Sequence, residues 1–313
     1  MKSTRAFCSA LLIALVAALA GCDRNSSVVY DPDATLSAPS VQEPVVETSD
    51  VQTESGTVVE SQENATLIFD ATNTRLEIDS SERPFVGFLT AEDKDRARSL
   101  KVVRGSGRIT QSGLLAFTLC RDLKEFLWND AVVDRDAQTS FMVLAGLTRL
   151  NKVRLTGLQT EDGVFPQETI SALSQIPHLV ELDLSGSKIT AKDFQGIRSW
   201  SDRFPALKRL NFYGSTLGDA GVRAIASLAF RLESLNVDDA QITNDSAEAL
   251  KLFTNLTFLH VGRSELEDSG LDKLTVLTRL EKIHVTRSRV TEEGAERFRK
   301  ALPNCEVVSQ PEN

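Results

Sequence analysis

From Leu179 the chain reads LVELDLSGSKITAKDF, and the same spacing of apolar positions returns as LKRLNFYGSTLGDAGV from Leu207, LESLNVDDAQITNDSA from Leu232, LTFLHVGRSELEDSGL from Leu256 and LEKIHVTRSRVTEEGA from Leu280. These starts lie 28, 25, 24 and 24 residues apart. Within each copy two apolar residues alternate with polar ones, as Leu182 and Leu184 do with Glu181, Asp183 and Ser185. That period predicts a short strand with one face buried and with Asp183 and Ser185 on the other. Ile189 then turns inward, and Thr190, Thr243 and Thr291 stand where a helix needs an N-cap, with Asp193 at capping-box distance from Thr190. Apolar residues at helical spacing follow, such as Val222, Ile225 and Leu228, or Leu271, Leu274 and Leu277. Pro177 and Pro205 stop the helix ahead of the next strand.

Weaker copies begin near Leu100, at Leu123 (LKEFLWNDAVVD) and at Leu150 (LNKVRLTGLQTEDG), so about eight units run through residues 100–308. A unit of this size cannot bury its own apolar face, and stacking units side by side makes one continuous core. The ends of such a stack need covers. At the front, residues 64–99 contain ATLIFDA and TRLEID around Thr72-Asn73, which predicts a hairpin, and then a helix from Thr90 to Ser99. At the back, ALPNCEVV places Cys305 in a leucine slot and predicts a last strand near Val308, with residues 309–313 as a disordered tail.

The L-x-x-L-x-L frame followed by four residues and Ile, Leu or Val resembles the leucine-rich repeat family. The resemblance implies an α/β solenoid with a parallel concave β-sheet and convex helices. The asparagine slot of many such repeats holds Ser187, Ser215, Ala240, Ser264 and Ser288 here, and the I-T-x-x-G lead into the helix resembles the cysteine-containing type. No F-box is recognisable, so a ubiquitin-ligase role does not carry over.

The first 63 residues follow a different pattern. Lys2 and Arg5 precede an apolar run from Ala6 to Ala20, and Leu19-Ala20-Gly21-Cys22 closes it. The run is short for a membrane span and fits a secretory signal, residues 1–21. The four residues ending in Cys22 resemble the lipobox of bacterial lipoproteins, which implies cleavage before Cys22 and diacylglycerol on its thiol; an ordinary signal peptide with a chance cysteine is the alternative. Residues 22–63 hold nine acidic residues against one basic, Arg24, and no apolar period. Such a composition cannot offset the entropy of ordering and predicts a disordered tether reaching about 35 Å.

This division locates the charge. Of the net −9 the tether carries −8 and the first 22 residues +2, which leaves −3 on the remainder, with 32 basic and 35 acidic residues. That balance gives no bias toward nucleic acid.

The candidate chemistry is sparse. Cys120 and Cys305 sit in core slots, and their strands would lie about 34 Å apart, far beyond the ~7 Å a disulfide allows. His178 falls in a turn. His260 and His284 occupy one outward strand position on neighbouring units, about 4.8 Å apart. Two imidazoles need a further ligand to hold a metal, and Glu281, the nearest carboxylate in sequence, points away, so a surface ladder is the simpler arrangement. Asp238-Asp239 lacks the ligand count for calcium and is read as a solvated rim. No phosphate loop, nucleophile elbow, His-Glu-x-x-His or paired-carboxylate pattern occurs, and the chain is read as a non-enzyme without cofactor or metal.

A binding face is the stronger expectation. Arg209, Asn211 and Tyr213, then Asn236 and Asp238 with Ser234, then Phe258 and His260, then Lys282 and His284 with Thr286 project onto one surface, with Arg263, Arg287 and Arg289 just beyond the strands. This surface runs from mixed polar to basic, with Tyr213 and Phe258 as exposed aromatics of the kind that anchor interfaces. The expected function is a protein-interaction module, lipid-anchored through Cys22 at the bacterial cell membrane or outer membrane with its repeats outside the cytoplasm. The alternative is an envelope receptor for an anionic glycan or small ligand at the basic end.

Overall fold

The computed structural model describes residues 64–134, 140–194 and 200–309. The stretches expected as signal sequence and tether, Cys22 included, lie outside the described residues, as do residues 310–313 of the expected tail.

Among the described residues twelve strands form one sheet: β1 (Thr66–Phe69), β2 (Arg75–Phe85), β3 (Val102–Ile109), β4 (Glu125–Val133), β5 (Lys152–Leu155), β6 (Gln159–Thr160), β7 (Glu181–Asp183), β8 (Arg209–Asn211), β9 (Ser234–Asn236), β10 (Phe258–His260), β11 (Lys282–His284) and β12 (Glu306–Val308). β1 is antiparallel to β2 and makes the front hairpin. From β2 to β12 the strands are parallel and in chain order, with only the two-residue β6 off the path, paired to β4. This is a leucine-rich repeat solenoid: β3 to β11, β6 aside, begin two residues after the starts at Leu100, Leu123, Leu150, Leu179, Leu207, Leu232, Leu256 and Leu280.

The inward positions form two rows. Val153, Leu182, Leu210, Leu235, Leu259 and Ile283 make one, and Leu155, Leu184, Phe212, Val237, Val261 and Val285 the next; all are buried. Each leucine removed from water contributes about 2 kcal/mol, so the rows hold the units in register. The convex side is thinner than the expected run of helices. Its described pieces are α1 (Ala91–Ala97), α2 (Gln111–Ala116), α3 (Met142–Ala145), α4 (Thr169–Leu173), α5 (Trp200–Arg203), α6 (Gly218–Ala224), α7 (Ala247–Leu250), α8 (Asp268–Lys273) and α9 (Glu292–Ala301), several of them continued or preceded by 3-10 turns. Among the described residues no helix is long and apolar enough to cross a membrane.

Under the front hairpin, Phe85, Phe88, Phe117, Phe126 and Trp128 pack with neighbouring centroids 5.1–6.5 Å apart. Trp128 fills a strand-leucine slot of the β4 unit, and its Nε1 donates to the Gly107 carbonyl at 2.8 Å. A side chain at Gly105 would occupy the space of the indole, which is why the neighbouring strand carries glycine there. This aromatic plug closes the core that the first unit would otherwise expose.

Neighbouring units are also tied through polar groups. Asp219 accepts from the Thr243 amide and hydroxyl, both at 2.9 Å, and Asp268 accepts from the Thr291 amide at 2.8 Å and hydroxyl at 2.7 Å. Asn244, in the same column, accepts from the Glu267 amide at 2.9 Å. Each threonine hydroxyl in turn accepts an N–H of its own helical turn, from Asp245 and Gly294 respectively. The N-cap of one unit is thereby clasped by the unit before it. The glycine of I-T-x-x-G makes room for this clasp, because a Cβ at Gly294 would collide with the Asp268 carboxylate, and one at Gly270 with the Asn244 side chain.

Candidate functional site

The strand registers place the candidate residues in rows on the concave face. Arg209, Ser234, Phe258 and Lys282 are successive partners in one row, and Asn211, Asn236, His260 and His284 in the next. Tyr213 and Asp238 follow two residues beyond β8 and β9 in the third row. The structure thus brings together on one face the strand residues singled out from the sequence.

At the C-terminal half of the face the rings cluster. The His260 and His284 centroids are 4.6 Å apart, and Phe258 lies 5.6 Å from His284 and 6.5 Å from His260. All three side chains are half-buried, so Phe258 is less exposed than expected, with the His260 and His284 rings standing against it. Tyr213 is exposed, and the Arg263 guanidinium stands 5.1 Å from its ring centroid.

Asp238 is a correction to the sequence reading. It is not part of a solvated rim; only 1% of the residue is exposed. Its carboxylate is held by Arg263 at 2.5 Å, and the His260 Nε2 lies 3.6 Å away. Burial and pairing take it out of the set of contact residues, and it, not Glu281, is the acid beside the histidine pair. Asp183 departs in the same way. It is 6% exposed, with one oxygen on the Arg154 guanidinium at 3.1 Å and the other on the Ser185 amide at 3.0 Å.

The basic end is likewise neutralised. Arg263 pairs with Asp238, Lys282 with Glu306 at 3.1 Å, and Arg289 with Glu265 at 3.0 Å. The hydrogen bonds that Arg263 donates to the Asp238 carboxylate raise its pKa above the ordinary value. Arg287 alone of this group is exposed with no ion pair among the described residues.

A hollow of about 220 Å³ lies on the same face across β5, β7, β8 and β9, with Phe258 as its far wall. Beside it runs a charge ladder, Lys152 to Glu181 at 2.8 Å and Glu181 to Arg209 at 2.9 Å. Burial pushes the Glu181 pKa up, but the bonds from Lys152 and Arg209 together hold it below the usual carboxylate value, so the ladder stays ionised. The sequence reading missed Arg154, Glu181 and Asp183 as neighbours of this hollow, although their alternating signs in aligned columns are visible once the frame is drawn.

The two remaining cysteines of the repeat domain are buried and free. Burial lifts the Cys120 thiol to about 12 and, as the largest cause, the Cys305 thiol to about 11, which removes nucleophilic character. Among the described residues no group of three His, Cys, Asp or Glu side chains is placed to hold a metal ion.

A family model described as Leucine Rich repeat matches residues 175–193. No curated protein matches the chain. Among solved structures, a leucine-rich repeat protein of Leptospira interrogans is similar at 14% identity and a TM-score of 0.46, over 73% of this chain and 59% of that one. An internalin C2 from Listeria monocytogenes is similar at 18% identity and a TM-score of 0.40, over 71% of this chain and 84% of that one. The chain therefore spans about three fifths of the length of the Leptospira protein.

Proposed function

We propose that this leucine-rich repeat chain is a lipid-anchored interaction module of the bacterial envelope, whose concave face binds another protein. The observation that carries the reading is the aromatic cluster of Phe258, His260 and His284, with Tyr213 beside it, on a sheet face whose charges are otherwise paired with one another. Aromatic rings left partly open among neutralised charges are what a protein interface uses as anchors, since they bury area without stranding a charge. The anchoring half rests on Leu19-Ala20-Gly21-Cys22, and two or three acyl chains at about 0.8 kcal/mol per methylene would hold the chain on a membrane. An anionic-glycan receptor at the basic end has less support, because Arg263, Lys282 and Arg289 already have carboxylate partners.

Two experiments test the halves separately. Cys22→Ala should leave the chain uncut and without lipid; a variant that is still cleaved, or one that is still acylated, would overturn the anchor. In-cell crosslinking should capture a protein with the parent chain and lose it with Phe258→Ala/His284→Ala. Unchanged capture would move the binding surface off the concave face.

A further inference from the structure

The hollow over β5 to β9 has an unequal inventory of donors and acceptors. Its carboxylate oxygens are taken: Glu181 by Lys152 and Arg209, Asp183 by Arg154 and the Ser185 amide. The carboxamide oxygens are taken too, since Asn211 Oδ1 accepts from the Tyr213 amide at 2.9 Å and Asn236 Oδ1 from the Asp238 amide at 3.0 Å. Because a backbone N–H can only donate, these bonds fix which end of each carboxamide is nitrogen. The Nδ2 groups of Asn211 and Asn236 are then left with no acceptor among the described residues. Arg154 and Arg209 engage their carboxylates through Nε, which leaves the ends of both guanidinium forks to the hollow. The lining and its ladder carry three cations, Lys152, Arg154 and Arg209, against two carboxylates.

With two spare carboxamide donors, a Ser234 hydroxyl that can donate or accept, and more cations than carboxylates, the site favours a ligand that accepts hydrogen bonds and carries negative charge. We propose that this hollow receives the carboxylate of a glutamate or aspartate side chain on a loop of a protein partner; this rests on the reading of the concave face as a protein-binding surface. Asn211 and Asn236 are register partners on adjacent strands, roughly 4.8 Å apart, so each can donate to one oxygen of a single carboxylate. Phe258 offers an apolar wall to the methylenes behind that carboxylate. A glutamine in the same place forgoes the negative charge that the excess of cations favours, and its hydrogen bonds to the two carboxamides are the weaker, uncharged kind.

The test uses the full chain in detergent, labelled with 15N at asparagine carboxamides, and two capped pentapeptides, Gly-Gly-Glu-Gly-Gly and Gly-Gly-Gln-Gly-Gly. The Asn211 and Asn236 signals, assigned by their loss in Asn211→Asp and Asn236→Asp, should move saturably with the glutamate peptide at millimolar concentration. The glutamine peptide should bind at least about tenfold more weakly. Asn236→Asp keeps the oxygen that the Asp238 amide needs but replaces the donor by a negative oxygen. It should therefore weaken the glutamate peptide at least about tenfold, with the melting temperature within about 2 °C of the parent. Equal binding of the two peptides, no movement of either signal up to about 20 mM, or an unchanged affinity in Asn236→Asp would overturn the proposal. If the peptide fails while Phe258→Ala/His284→Ala still abolishes partner capture, the socket is wrong and the binding face stands. If that double variant captures normally, the face itself is wrong whatever the peptides do.

Discussion

Arg263 closes on Asp238 at 2.5 Å across the boundary between two units, while Arg287, one unit further on in the same place, meets no carboxylate among the described residues. Both backbones are left-handed, with φ of 41° and 57°, where earlier units use Gly157, Gly186 and Gly214. The position after each strand requires that conformation, and an arginine there is strained by about 1 kcal/mol. The difference lies in the preceding unit, which offers Asp238 to Arg263 but Gly262 to Arg287. Arg263→Gly should therefore cost about 2 kcal/mol, below the usual figure for breaking a buried pair because the guanidinium is partly solvated. Arg287→Gly should change stability by less than about 0.5 kcal/mol, strain relief offsetting glycine's entropy. Urea unfolding midpoints of the two variants check this, and equal losses would contradict it.

Gly294 should be intolerant of the substitution that helices ordinarily favour. Alanine in place of glycine inside a helix adds about 1 kcal/mol. Here the new methyl group meets the Asp268 carboxylate that clasps Thr291, so Gly294→Ala should lose about 1–2 kcal/mol instead. In an Asp268→Ala background the obstacle is gone, and the same change should become neutral or stabilising. A double-mutant cycle on thermal unfolding measures the coupling, and additivity of the two changes would remove the clasp as the cause.

These residues show where the sequence was readable. The frame placed the strands, the inward rows and the grouping of Asn211, Asn236, His260 and His284, because each is fixed by spacing within one unit. Spacing alone could not show that Asp238 is buried or that Asp219 and Asp268 bind the following unit, since those states depend on a partner 23 to 25 residues away. Column-by-column comparison would have exposed them: an acid at one position of a unit faces an arginine or threonine at a fixed position of the next. Phe258 reads as exposed for a related reason, since one of the rings against it, His284, comes from the next strand.

Acid should loosen the stack through the same clasps. Burial pushes the carboxyls of Asp219 and Asp268 up, but the bonds from Ser246 and Thr243 to the first, and from Thr291 and Arg297 to the second, hold both below their ordinary value. A folded-state pKa below the unfolded one means that the unfolded chain binds more protons as pH falls. The stabilisation is complete above the unfolded value, ordinarily about 3.9, and is lost as pH falls through the folded values. Urea midpoints should therefore drop between about pH 5 and pH 3, and less steeply in Asp219→Asn/Asp268→Asn, which keeps the acceptor oxygen that Asn244 uses in its own unit. An identical pH slope in that variant would show that other carboxylates carry the effect.

Cys120 and Cys305 should report on how the solenoid opens. With thiols at about 12 and about 11, both are almost wholly protonated at pH 8 and covered by the core, so neither should react with iodoacetamide in the native chain over minutes. They differ in place. Cys120 is buried in the core between β3 and β4, whereas Cys305 precedes β12, which among the described residues pairs with β11 alone. A stack of units contacting only nearest neighbours opens from its ends, so Cys305 should be alkylated at lower urea than Cys120. Peptide mapping after a labelling pulse across a urea series distinguishes the two sites. Simultaneous labelling would mean that the described units unfold as one cooperative block, with the terminal strand no weaker than the core.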